Sequence, residues 1–200
     1  KYIQREGPHY GYFLKMNKGT YLLGKCGSSA EAMRRKAVLI HELGISAHII
    51  KIHPSDVDAD IKEETDAEYG AVILGSFIGS KAFIKSELQK ALSELKQVAD
   101  VIKDLPLKQL KYLLLRYCYC SKITYLQRTI PPKLLSSFVD SFIVTVREIC
   151  CSLLDKGRTA DTLPSDVWTQ FCFNVADGGL GLRDQSAVTH CAFLASLVES

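Results

Sequence analysis

The sequence predicts an α+β chain, with a small N-terminal part of short antiparallel strands and a helix followed by a mostly α-helical remainder. Three observations lead there. Before residue 80, β-rich runs such as Ile49, Ile50 and Ile52 alternate with glycine turns. After Ser80, Phe83, Leu88, Ala91, Leu92, Leu95, Val98 and Ile102 recur at helical spacing. The charge balance changes at the same place: residues 1–80 are net neutral, residues 81–130 carry a net +6, and residues 131–200 a net −3.

The elements follow in order. Tyr12 to Leu23 mixes aromatic and aliphatic residues with Lys15, Asn17 and Lys18, which predicts short extended pieces around a turn. Ser28 with Glu31 forms a capping box for a helix that runs to about Leu43 and stops at Gly44. His48 to His53 reads as a strand ending at Pro54, and the acidic stretch Asp56 to Glu68 as a solvated loop or short helix. Ala71 to Ile78, with Gly75 inside it and Gly79 after it, predicts a tight hairpin or kinked strand.

Helices fill the rest. The first ends at Pro106, a second runs from about Leu107 to Ile130, and Pro131-Pro132 opens a third that reaches Leu153. Trp168 to Val175 reads as a short amphipathic element, Gly178-Gly179-Leu180-Gly181 as a turn, and Asp184 as the N-cap of a last helix.

Composition narrows the class. A hydrophobic content of 47% with 24% charged residues is that of a globular chain and excludes a disordered one. The longest apolar runs, Ala71 to Leu74 and Tyr112 to Leu115, are far too short to cross a bilayer, so no membrane partner is expected. Lys1 to Tyr12 is polar, without a signal peptide, and the chain reads as a fragment or excised domain. Seven cysteines in no framework spacing read as reduced thiols of an intracellular protein, cytoplasmic or nuclear, serving as small apolar side chains.

Several catalytic motifs fail on inspection. His41-Glu42 lacks the second histidine of a metalloprotease helix, since Ile45 stands there. Gly24-Lys25-Cys26 lacks the hydroxyl residue and the earlier glycine of a phosphate-binding loop. Asp56, Asp58 and Asp60 lack the glycine and glutamate of a calcium loop, and the histidines supply no zinc-ligand spacing. No self-contained catalytic constellation is visible.

Gly7 to Tyr12 with Asn17-Lys18, Tyr69 to Ser80, Arg128 to Pro132 with Asp140, and Trp168 with Gly178 to Arg183 and Ala192 to Ser196 together resemble a reverse transcriptase (RNA-directed DNA polymerase) of a eukaryotic, non-LTR-like retroelement. Gly7-Pro8-His9-Tyr10-Gly11-Tyr12 with Asn17-Lys18 is similar to the palm motif that follows the catalytic Asp-Asp turn. Tyr69 to Ser80 resembles the primer-grip hairpin. Arg128-Thr129-Ile130-Pro131-Pro132 with Asp140 resembles the step between thumb helices. Trp168, Gly178 to Arg183 and Ala192 to Ser196 resemble a tail found after the thumb.

The resemblance implies an end of the palm over 1–80, a helical thumb over 81–155 and a post-thumb helical extension over 156–200. It also implies that the metal-binding aspartates and the fingers precede this chain. Mg2+ is then implied for the intact polymerase and no cofactor for the fragment, which is expected to be inactive alone as a nucleotidyltransferase. Lys18 is implied as an accessory near the incoming nucleotide's phosphates. The implied partners are an RNA–DNA or DNA duplex, held through segment 81–130, and the rest of the polymerase.

The candidate contacts are Leu74, Gly75, Ser76 and Gly79 in the hairpin, then Lys81, Lys85, Lys108, Lys111 and Arg128. Lysine and arginine on helical faces suit a thumb, because phosphate contacts hold a duplex without reading its sequence. Gly75 and Gly79 suit close backbone approach to a primer strand. A competing reading is a helical protein-interaction module whose basic segment pairs with an acidic partner.

Overall fold

In the computed structural model, residues 21–56, 68–154 and 160–199 are described. The chain divides into two units. The first holds the residues up to Ile73 with Phe77–Ile84, and the second holds Leu74–Ser76 and the residues from Lys85 onward. Helix dominates, and the described strands form two small sheets of two strands each.

In the first unit β1 (Tyr21–Leu22) leads to α1 (Ser29–Leu43) and then β2 (Ile50–Lys51). β1 and β2 are parallel, Tyr21 lying opposite Ile50 and Leu22 opposite Lys51. This corrects the expectation of antiparallel strands. With α1 as the connection the chain crosses over and returns in the same direction. The antiparallel expectation applies instead to β3 (Gly70–Ile73) and β4 (Ser76–Gly79), whose two-residue link is too short for a parallel return.

α1 keeps the boundaries its caps predict. The Ser28 hydroxyl accepts from the Glu31 N–H at 3.3 Å, and Gly44 takes the left-handed conformation (φ 64°) with its N–H donating to Ile40 O. Glu31 also holds Arg34 and Arg35 at 3.0 and 2.9 Å. One expectation reverses here. Asp56 is buried, not solvated, and its carboxylate accepts from the backbone N–H groups of Cys26 (2.6 Å) and Gly27 (3.0 Å). A carboxylate that accepts two amide protons is satisfied without water, so it belongs inside. Residues 57–67, the remainder of that acidic stretch apart from Glu68, lie outside the described residues.

α2 (Lys81–Asp104) begins in the first unit and continues in the second, where Leu88, Leu95, Ala99 and Ile102 form its buried stripe. The single helix expected over 107–130 is instead interrupted. α3 (Lys108–Leu113) passes into a π-helical segment (Leu114–Tyr119), and after a turn comes α4 (Thr124–Thr129). The Cys120 N–H reaches Leu115 O at 3.0 Å, one residue further back than an α-helix allows.

Packing explains the widened turn. Leu115, Tyr119 and Ile123 are all buried at four-residue spacing. That spacing drifts by about 40° per step in an α-helix, and the wider turn reduces the drift. Tyr119 is stacked on Phe142 at 5.1 Å and donates its hydroxyl to Leu95 O at 3.1 Å.

α5 (Pro132–Leu154) starts at the second proline, where a missing N–H costs nothing, and buries Leu135, Phe138, Val139, Phe142, Val146 and Ile149. α6 (Ser165–Cys172) carries Trp168, whose ring lies 5.2 Å from the Arg147 guanidinium. α7 (Gln185–Glu199) is capped as expected: Asp184 Oδ1 accepts from the Ser186 N–H at 3.0 Å. A buried amide joins α4 to α7. Gln127 Nε2 lies within hydrogen-bond distance of Gln185 Oε1 (3.0 Å) and Thr189 Oγ1 (2.9 Å).

Candidate nucleic-acid interface

The hairpin tip is built by two residues of positive φ, Leu74 (51°) and Gly75 (85°), the combination of the turn that best matches strand twist. Glycine takes such a φ freely, whereas a leucine there is uncommon. Leu74 is also 91% exposed, and Val72, Ile73 and Ile78 beside it are exposed as well. A Cβ built on Gly75 would stand 3.9 Å from the Tyr125 ring, so the tip lies beside α4. Ser76 is buried. Gly79 has a reason of its own, since a Cβ there would meet Tyr69 O at 2.3 Å. Its bareness serves the closeness of the hairpin's own backbone.

The candidate cations separate into two groups. Lys81 and Lys85 are exposed, as is Lys96, and none has an ion pair with a described carboxylate. At about 100° per residue the three fall within about 60° of the helix circumference and extend over about 22 Å of its rise. Lys90, on the opposite side, is paired with Glu87 at 2.6 Å.

The second group faces inward or is occupied. Lys111 is only 8% exposed, and its ammonium donates to Lys103 O at 2.5 Å, at the end of α2. Lys108 is exposed but donates to Leu154 O, the last residue of α5, at 3.4 Å. Both do what a lysine at a helix C-terminus does: satisfy orphan carbonyls and complement the helix dipole. Lys111 is thus withdrawn from the surface that phosphates can reach. Lys103 is held between Asp100 (2.8 Å) and Glu148 (3.2 Å).

Arg128 is exposed on α4, and its carbonyl accepts from the Ser196 hydroxyl at 2.6 Å. The structure therefore brings the hairpin tip to α4. Lys108 and Lys111 are used to close helix ends. Lys18 and the first motif, residues 7–18, lie outside the described residues.

Sequence reasoning missed Arg116 and Arg183. Both line a cavity of about 270 Å³ between the π-helical segment and the chain entering α7, with Tyr117, Ser121 and Thr124. Arg116 donates to the Tyr112 hydroxyl at 2.8 Å, and that hydroxyl donates to Leu180 O at 2.8 Å. The guanidinium also lies 5.1 Å from the Tyr117 ring centroid. The available signal was weak, because Arg183 falls in the segment of net negative charge.

Among the described residues no group of three or more His, Cys, Asp and Glu is placed to hold a metal ion. No described helix is long and apolar enough to cross a membrane. Cys120, Cys150 and Cys151 are buried, Cys26 and Cys172 half-buried, and Cys118 and Cys191 exposed, all as free thiols. Compared with known protein families, curated proteins and solved structures, the chain matches none.

Proposed function

We propose that this chain is the palm end, thumb and post-thumb part of a retroelement-type reverse transcriptase, and that its own work is to hold a primer–template duplex by the backbone. Four motif resemblances in the family's order support the polymerase reading. The observation that carries the duplex reading is the stripe of Lys81, Lys85 and Lys96 along α2, exposed and without a carboxylate partner among the described residues. Ammonium groups spaced along one helix face meet successive phosphates without reading bases, which is the requirement of a processive grip. The exposed tip at Leu74, beside Tyr125, adds apolar surface of the kind that packs on sugar and base faces.

The test is binding of the full chain to an RNA–DNA hybrid, followed by anisotropy from about 50 to 200 mM salt. Affinity is expected to fall steeply with salt. The triple variant Lys81→Glu, Lys85→Glu, Lys96→Glu is expected to lower the log–log slope by roughly 0.9 per lost phosphate contact. An unchanged slope in that variant, or no binding at the lowest salt, would overturn the reading.

A protein-interaction role is favoured by a different surface. Leu194, Leu197 and Val198 stand exposed near the end of α7, an apolar group suited to another protein rather than to phosphates. On that reading the chain would show no salt-dependent affinity for nucleic acid.

A further inference from the structure

The cavity lined by Arg116 and Arg183 has the chemistry of an oxyanion site. Its described lining holds two guanidiniums, the Thr124 hydroxyl and no carboxylate, while the Ser121 hydroxyl donates to Tyr117 O and Cys118 O. At about 270 Å³ it lies just below the roughly 300–1,000 Å³ of sites for drug-sized ligands, which suits a phosphoryl group and its ester substituent.

Arg116 is held in place before any ligand arrives. The Tyr112 hydroxyl orients one end of its guanidinium, and the Tyr117 ring covers a face. The backbone passes over it at Gly181 (φ 62°), where a Cβ would lie 2.9 Å from Cζ and Nη2. The left-handed φ favours glycine there, and any side chain would displace the guanidinium from this position. A half-buried guanidinium with one neutral hydroxyl partner retains donors whose natural complement is an anion.

Arg183 is exposed at the rim and makes no ion pair with a described residue. The neighbouring Asp184 forms no ion pair with it; its Oδ1 accepts from the Ser186 N–H as the cap of α7. The widened turn that carries Arg116 and Tyr117 is itself a backbone irregularity of the kind found at functional sites.

We infer that this cavity binds the phosphate of a phosphate ester, Arg116 acting as the fixed fork, Arg183 closing from the rim, and Thr124 donating its hydroxyl. The source is a phosphodiester of the nucleic-acid strand, a part that rests on the duplex-holding function proposed above. No bond is made or broken.

The test follows the Arg116 and Arg183 side-chain Nε–Hε resonances of the full chain at constant ionic strength. Inorganic phosphate and dimethyl phosphate are the probes, with chloride as control. Saturable shifts with both phosphates and none with chloride are expected. Arg183→Gln is expected to weaken dimethyl phosphate binding about tenfold, the loss of one charge-assisted hydrogen bond. Arg116→Lys, which keeps the charge but not the fork, is expected to weaken it similarly.

Absence of saturation, or equal affinity in Arg183→Gln with an unchanged circular dichroism spectrum, overturns the inference. Hybrid binding through the α2 lysines would survive that result. Saturation by inorganic phosphate alone, with dimethyl phosphate inert, overturns the strand as the source. Phosphate binding without any hybrid binding removes the duplex reading and leaves the pocket standing.

Discussion

Lys81, Lys85 and Lys96 extend from α2 without a described carboxylate partner, whereas Lys103, Lys108 and Lys111, which follow in the chain, are each tied to a carboxylate or a helix-end carbonyl. All six belong to the one segment of net +6. A charge count treats them as equal, but the fold does not. The first three stand beside a long uninterrupted helix whose carbonyls are already used. The last three sit where α2 and α5 end, and helix ends present carbonyls that need donors. Of these six lysines, three are therefore architecture and three are open to a polyanion.

The largest effect expected at neutral pH comes from breaking that division at Lys111. Lys111→Glu places a carboxylate, in a buried position, against the carbonyl of Lys103. A loss of about 3 kcal/mol is expected, as for an uncompensated buried charge. Lys85→Glu, on the exposed face, is expected to change stability by no more than about 0.5 kcal/mol. Urea unfolding of the two variants decides it. Equal destabilisation would mean that the exposed and the tied lysines do not differ as described.

This division explains how much the sequence revealed. Signals that act within a few residues were legible: Ser28 and Gly44 bounded α1, Pro132 opened α5, Asp184 capped α7, and Gly75 with Gly79 pointed to a hairpin or kinked strand. Features that depend on distant partners were not. Asp56 looks solvated until Cys26 and Gly27 are folded onto it. Lys111 looks like a surface cation until the end of α2 is placed beside it. Nothing in Leu114 to Tyr119 announces a widened turn, because the reason lies in Phe142 and Leu95. The pairing of Arg116 with Arg183 is likewise a product of tertiary packing.

Alkaline pH offers a sharper test of the buried half. Burial, with a smaller contribution from Cys172, pushes the Cys120 thiol up to about 12 from an ordinary value of 9, and burial raises Cys150 further. The unfolded chain releases these protons near pH 9 while the folded chain keeps them. Their stabilisation is therefore complete below pH 9 and is lost as the pH rises through the folded values. Each thiol is expected to remove up to about 1.4 kcal/mol per pH unit in that window. The double variant Cys120→Ala, Cys150→Ala should flatten the fall in urea midpoint above pH 9 relative to the unsubstituted chain. A fall of equal slope in both would show that the thiols are not the cause.

The smallest effect isolates Lys103. Its ammonium is raised above the ordinary 10.5 by the hydrogen bond to Asp100, against opposing burial, with Glu148 adding to the rise. A raised lysine stabilises the fold fully below pH 10.5 and loses that contribution as pH climbs through the folded-state value. The side chain is 28% exposed and its partners more so, so the pair is expected to contribute only about 0.2–1 kcal/mol. The thiols titrate in the same range, which is why the comparison must be with Lys103→Met carrying the same cysteines. The difference in urea midpoint between the two proteins should be constant below pH 10 and shrink above 10.5. It should also shrink with added salt at neutral pH, since partly exposed ion pairs are screened. A difference that persists unchanged through the alkaline range would place the contribution of Lys103 in the packing of its aliphatic stem rather than in its charge.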